Sequence, residues 1–172
     1  MGPPRGRCIM YLLDTGIILE LRKAKSGQTD PGLIAWASGV PRQSLFISAL
    51  NLLELDSAAD RLTRKDKIAG TALQVWIDTQ VRKAFDGRVL AIDAAVVNMV
   101  GRLPSMAPRD ALLAATAKEH GLTLATRNVA AFKAARIKLL NPWGYTGDDE
   151  DGDWRQAAKS GPVWLKSLFV RA

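Results

Sequence analysis

Apolar residues in this chain fall into short blocks set apart by polar ones, and the blocks are of two kinds. Residues 9–13, 45–47, 88–92, 122–126 and 137–140 are runs of strand length bounded by charged or turn-forming residues. Between them lie segments whose apolar positions recur at helical spacing. One helix is predicted over 15–22, carrying Ile18, Leu19 and Leu21, and another around Leu33, Ile34 and Trp36. A third opens at Ser48, a good N-cap, with an apolar stripe of Leu50, Leu53, Leu55 and Ala58. Asp66 opens a longer helix with Leu73, Trp76, Ile77, Val81, Ala84 and Phe85 on its core face, ended by Gly87. The helix after Asp93 turns Val96, Val97, Val100 and Leu103 inward, and a further helix runs from Pro108 to His120-Gly121. A short helix holds Phe132. Strands alternating with helices predict an α/β fold, a three-layer sandwich around a central, mostly parallel sheet.

The predicted strands also place polar groups. In an open α/β sheet the functional crevice lies outside the carboxyl ends of the strands. Asp14 directly follows the first strand, and Glu54, Asp110 and Asn128 follow later ones or open the helices after them. Glu54 is four residues from both Leu50 and Ala58 and so shares a helix face with apolar neighbours. A carboxylate there needs a partner, such as a metal ion, or a position at the edge of the stripe where it reaches solvent. Asp110 falls in the first turn of a helix rich in small residues (Ala114, Ala115, Ala117), a surface able to approach a sheet closely. An acid in a first turn is also favoured by the helix dipole. Asp93 follows a strand as well; its ordinary role is an N-cap, which leaves it a reserve ligand.

Asp14, Glu54 and Asp110 together form an oxygen-donor set of the kind Mg²⁺ or Mn²⁺ prefers, which suits phosphodiester hydrolysis. No Ser-His-Asp set, Cys/His ligand spacing or Gly-rich phosphate loop competes with it. A phosphatase with Asp14 as nucleophile is the weaker alternative, because Gly16 stands where its second acid would be. His120, the single histidine, reads as a dipole-favoured surface residue. The single cysteine, Cys8, reads as inert; with no possible internal disulfide the chain fits a reducing cytosol.

Charge adds a partner. The 172 residues carry a formal charge of +7. Residues 144–172 hold five acids and four bases, so the basic character belongs to the body, with 20 bases against 12 acids in residues 1–143. An anionic partner follows, either nucleic acid or an acidic protein. Arg109, Arg127, Lys118 and Lys133 lie beside the acids in sequence and are the candidate contacts to an RNA backbone. No apolar run of about 18 residues is present, so no membrane span is expected. Residues 1–8 read as a flexible lead, with Met10 as a candidate natural start, 9–143 as one domain, and 144–172 as a flexible tail or, alternatively, a docking segment.

Five stretches in order resemble the successive motifs of PIN-domain proteins, in particular the VapC and FitB-like toxins of bacterial toxin–antitoxin pairs. They are Leu12-Leu13-Asp14-Thr15, Ser48-Ala49 through Glu54-Leu55, Asp110-Ala111 through Ala114-Ala115-Thr116-Ala117, Ala125-Thr126-Arg127-Asn128 and Asn141-Pro142-Trp143. The resemblance implies a Mg²⁺- or Mn²⁺-dependent endoribonuclease, cytoplasmic and homodimeric. It also implies an antitoxin partner with a ribbon-helix-helix or related DNA-binding domain. By motif, Asp14, Glu54 and Asp110 become metal ligands, with Thr126 and Ser48 as nearby hydroxyl supports. The chain departs from the pattern at Asn128 and Ala131, where family members commonly carry a fourth acid, and at Gly16, where an Asn is frequent. An amide oxygen at Asn128 brings no charge. The incomplete acidic set therefore keeps open a second reading, a catalytically weak PIN-like module that acts by joining its antitoxin on DNA.

Overall fold

The computed structural model describes residues 9–146. Five strands form one sheet in the order β3-β2-β1-β4-β5, all parallel: β1 (Tyr11–Leu13), β2 (Leu45–Ser48), β3 (Val89–Leu90), β4 (Thr123–Ala125) and β5 (Leu139–Leu140). The ladder register pairs Tyr11 with both Leu45 and Thr123, and Leu12 with Phe46 and Leu124. Beginning at β1, the chain builds outward to β2 and β3 on one side and then returns to lay β4 and β5 on the other. The reversal makes the carboxyl ends of β1 and β4 the natural crevice of the sheet.

Successive strand residues feed opposite faces, as the pleat requires. Leu13, Leu45, Ile47 and Ala125 enter one apolar core, with Ile17, Leu33, Trp36, Leu55, Trp76, Val81 and Phe85. Leu12, Leu124 and the partly buried Phe46 enter the other, with Leu113, Ala114, Ala117 and Phe132. The first core is covered by α1 (Thr15–Arg22), α2 (Pro31–Gly39), α3 (Ala49–Lys65), α4 (Lys67–Trp76) and α5 (Arg82–Ala84). The second is covered by α7 (Pro108–Glu119) and α8 (Val129–Phe132), with α6 (Ala94–Val100) packed on α7. The three expected layers are present, and the sheet is wholly parallel.

Several local expectations change. The helix opened by Asp66 runs through α4 into a π turn at Ile77–Val81 before α5, so its core residues stay inward while the winding loosens. Leu53 is not on the core face of α3 but 63% exposed. The buried positions of that helix, spaced at successive turns, are Asn51, Leu55 and Ala59, of which Leu55 is in the expected stripe, while Leu50 and Ala58 are partly buried against the cores. Val97 likewise points to solvent, leaving Val96 as the buried residue of the short α6. The third strand is only Val89–Leu90 rather than residues 88–92. His120 is exposed and precedes Gly121, which takes the left-handed φ of +65° expected past a helix end. The ordered body reaches beyond residue 143: the N–H of Gly144 donates to Asp30 at 3.0 Å, and Gly32 lies against the backbone of 144–145. Residues 1–8, including Cys8, and the expected tail from 147 onward lie outside the described residues. No helix of the described residues is long and apolar enough to cross a membrane.

Candidate active site

Asp14 occupies the N-cap position of α1 with extended backbone, and its N–H donates to the Ala125 carbonyl at 3.0 Å, continuing the β1–β4 ladder by one residue. Unlike Asp30, Asp66 and Asp93, which each accept a bond from the first turn of their own helix, Asp14 makes no side-chain cap. Its carboxylate turns into the crevice instead. There the Thr126 hydroxyl, at the end of β4, donates to Oδ2 at 2.7 Å. The same hydroxyl accepts the Asn128 N–H at 3.1 Å.

Glu54 arrives from the other side of β1. Ser48 ends β2 and caps α3, its Oγ accepting from Leu50 N–H at 3.1 Å. Asn51 completes a capping box by accepting the Ser48 N–H at 2.6 Å. The amide of Asn51 then donates to Thr15 Oγ1 at 2.9 Å, and the Thr15 hydroxyl donates to Glu54 Oε2. A chain of polar contacts thus runs from the end of β2 through the start of α1 to the Glu54 carboxylate. Asn51 is fully buried, and each of its bonds is made in a low-dielectric setting where an unpaired amide would be costly. Asp110 comes from the first turn of α7, whose Ala111, Ala114, Ala115 and Ala117 are buried and let the helix sit close to the sheet.

The three carboxylates converge on one group, the guanidinium of Arg109. Its Nε donates to Glu54 Oε1 at 2.6 Å and its Nη1 to Asp110 Oδ1 at 3.0 Å. Its Nη2 donates to Glu54 Oε2 at 3.1 Å and also to Asp14 Oδ1. The fork geometry of Arg suits such multiple carboxylate contacts. The contacts, that to Glu54 foremost, hold the guanidinium far above its ordinary pKa against the opposing effect of burial. The Asp14 side chain is 13% exposed, those of Glu54 and Asp110 about a quarter. Of the cluster, Glu54 and Arg109 line a cleft of about 470 Å³ that runs along α3 past Leu53, Ser57 and Arg61.

The structure therefore brings together Asp14, Glu54, Asp110 and Arg109, with the Thr126 hydroxyl bonded to Asp14, whereas the Ser48 hydroxyl caps α3 and bonds to none of the three carboxylates. Asn128 joins only through its backbone; its side chain is exposed and makes no hydrogen bond among the described residues. Asp93 caps α6, accepting from Val96 N–H at 3.0 Å, and does not join the cluster. Arg127 is exposed, with its guanidinium 5.5 Å from the Trp143 ring centroid. Lys118 is exposed in the last turn of α7, eight residues from Asp110 and hence about 12 Å along the axis, and stands outside the carboxylate cluster. Lys133 is exposed beyond α8 and bonds to none of the acids. Two residues that complete the site, Thr15 and Asn51, carry no charge. The legible signal was Asn51 three residues after an N-cap Ser, an amide variant of the capping box.

The donors are hard oxygens, and they already surround a single cation. In charge and donor chemistry they fit Mg²⁺ or Mn²⁺. As placed, no three acidic or histidine side chains among the described residues stand near enough to hold an ion, and the guanidinium of Arg109 bonds to all three carboxylates.

Comparison with known proteins agrees with this architecture. The toxin FitB of Neisseria gonorrhoeae is 30% identical over 142 residues, spanning 78% of this chain and 99% of that protein. The VapC ribonuclease Y4jK of Sinorhizobium fredii is 31% identical over 142 residues, spanning 78% of this chain and 98% of that one. The solved structure of FitAcB from Neisseria gonorrhoeae matches with a TM-score of 0.71 at 29% identity, covering 78% of this chain and 99% of the other. With the PIN domain model matching residues 11–137, from the first strand to the approach of the last, the chain belongs to the PIN-domain family.

Proposed function

We propose that this protein is a Mg²⁺- or Mn²⁺-dependent endoribonuclease, the toxin of a toxin–antitoxin pair. The observation that carries the reading is the convergence of Asp14, Glu54 and Asp110 at the carboxyl ends of the strands, on a basic body. When bound, the ion supplies a water of lowered pKa and stabilises negative charge on the phosphoryl oxygens. Asp14 is held for ligation by Thr126 and by its backbone bond to Ala125; Glu54 is held by Thr15 and, through it, Asn51. Arg109 supplies a forked cation for a phosphate, and Arg127 is an exposed second one. The similarity to FitB and to a VapC ribonuclease supports the toxin role, and the likeness to a FitAB complex solved on DNA supports a DNA-binding antitoxin partner; with that role go an antitoxin of ribbon-helix-helix type and a homodimer. A cytoplasmic location accords with that role.

Cleavage of total RNA by the purified, antitoxin-free chain tests the reading. Cutting is expected with Mg²⁺ or Mn²⁺, abolished by chelator and by Asp14→Asn or Asp110→Asn. No cutting by the folded chain with either ion would defeat it.

One observation favours a second reading, a catalytically weak module that acts by joining its antitoxin on DNA. The side chain at Asn128 adds no charge and no bond to the cluster. If that reading is right, Asn128→Asp raises cleavage at least about tenfold by restoring a fourth acid; an unchanged rate argues against it.

A further inference from the structure

Arg109 is an unexpected occupant for its position in the helix. It stands in the first turn of α7, directly after Pro108, where the helix dipole disfavours a cation. What holds it there is tertiary: four hydrogen bonds to three carboxylates drawn from β1's end, α3 and α7 itself. Those bonds take up both oxygens of Glu54 and one each of Asp14 and Asp110, the same donor set a metal ion would draw on. Two cations cannot use the same oxygens at full strength, so the guanidinium and a divalent ion compete for the site.

We infer that Arg109 is a built-in competitor of the metal, the resident cation that keeps the three carboxylates satisfied until a divalent ion displaces it. This rests on the metal-dependent reading of the site. The displaced side chain has somewhere to go, because Arg109 lines the open cleft that continues along α3 to Arg61. Side-chain exposure of 35% shows that it need not cross the packed core to leave. Once swung outward it leaves the acidic cluster and faces the cleft, where a phosphate oxygen is the natural replacement for the carboxylates it gave up. The same residue then serves the metal-free chain by offsetting part of the site's negative charge and the metal-loaded chain by meeting the substrate.

Binding without catalysis tests this. Titrate the full chain with Mn²⁺ in a calorimeter, without RNA, for wild type, Arg109→Gln, Arg109→Lys and Asp14→Asn. Arg109→Gln is expected to bind Mn²⁺ about tenfold more tightly than wild type, and Arg109→Lys, which keeps the charge but loses the fork, to fall between them. Binding detected only in Arg109→Gln, and lost again in Arg109→Gln/Asp14→Asn, would support the inference equally. If wild type and Arg109→Gln bind with the same affinity while Asp14→Asn abolishes binding, the metal site stands and the competitor role is overturned. If none of the variants binds Mn²⁺, the metal reading and the inference fall together. Arg109→Lys guards against a Gln variant that fails to fold when three carboxylates lose their cation; circular dichroism of each variant identifies that case, and Arg109→Lys binding no tighter than wild type then overturns the inference.

Discussion

Thr126 donates a 2.7 Å hydrogen bond to Asp14 from the neighbouring strand, and both residues stand one step past the end of their β1–β4 ladder. The hydroxyl is fully buried and does two tasks, fixing the Asp14 carboxylate and accepting the Asn128 N–H. Replacing Thr126 by Val keeps the shape and removes both bonds. The expected cost is about 1–3 kcal/mol in urea unfolding, since a backbone N–H is left without its acceptor. On the proposed function, in which Asp14 ligates the metal, RNA cleavage should fall by about 10- to 100-fold through the loosened carboxylate. Thr126→Ser, which retains the hydroxyl, should recover most of the activity.

Asn51 offers a separable test on the other arm of the site. Its carbonyl holds the Ser48 N–H and its amide holds Thr15, which in turn bonds Glu54. Asn51→Ala strands a buried N–H at the helix start, and a loss of about 2–3 kcal/mol is expected by denaturant titration. Asn51→Asp should be worse, because it keeps the acceptor but replaces the donor to Thr15 with a buried charge close to Glu54. A variant as stable as wild type would show that the polar chain from Ser48 to Glu54 is dispensable.

How far the site was legible follows from what each residue contributes. Asp14 and Asp110 were readable because a carboxylate next to a strand end or a helix start is a local event in sequence. Glu54 was readable from its spacing to Leu50 and Ala58, which are partly buried and line the same cleft, although Leu53, expected inside, is exposed. Helical periodicity fixes relative angles and not which face meets the sheet, and an Asn on the buried face disguises that face as polar. The layered α/β fold was legible because both faces of the sheet are covered, so the strands appear as plain apolar runs. The position of Arg109 was not, since three carboxylates distant in sequence decide where its guanidinium lies. At Lys118, nearness in sequence to Asp110 becomes a separation of about two helical turns.

The α3–α4 corner contains a close approach that sequence does not advertise. A Cβ at Gly70 would lie 2.1 Å from Thr63 Oγ1, 2.3 Å from its N and 2.4 Å from its Cα. Gly70→Ala should therefore destabilise the protein by about 1–3 kcal/mol through overpacking, although Ala is the better helix former. Because two of the three clashes are with backbone, Thr63→Ala should not rescue it. Thermal unfolding of the single and double variants checks this; full rescue would mean that only the side chain is in the way.

Asp30 ties the start of α2 to the segment after β5, accepting from Leu33 N–H and Gly144 N–H, each at 3.0 Å. The Gly144 bond, with the bonds from α2, holds its carboxyl below the ordinary value of about 3.9. A folded pKa below the unfolded one means stability that is fully present above about pH 4 and is lost as the pH falls through the depressed value. The stability difference between wild type and Asp30→Ala should therefore be level from neutral pH down to about pH 5 and narrow below about pH 4. Asp30→Asn, which keeps an acceptor without a titrating group, should show no such narrowing against Asp30→Ala. Urea unfolding from pH 3 to pH 7 decides it: a gap that stays constant throughout would mean that the Asp30–Gly144 contact does not favour the ionised carboxylate.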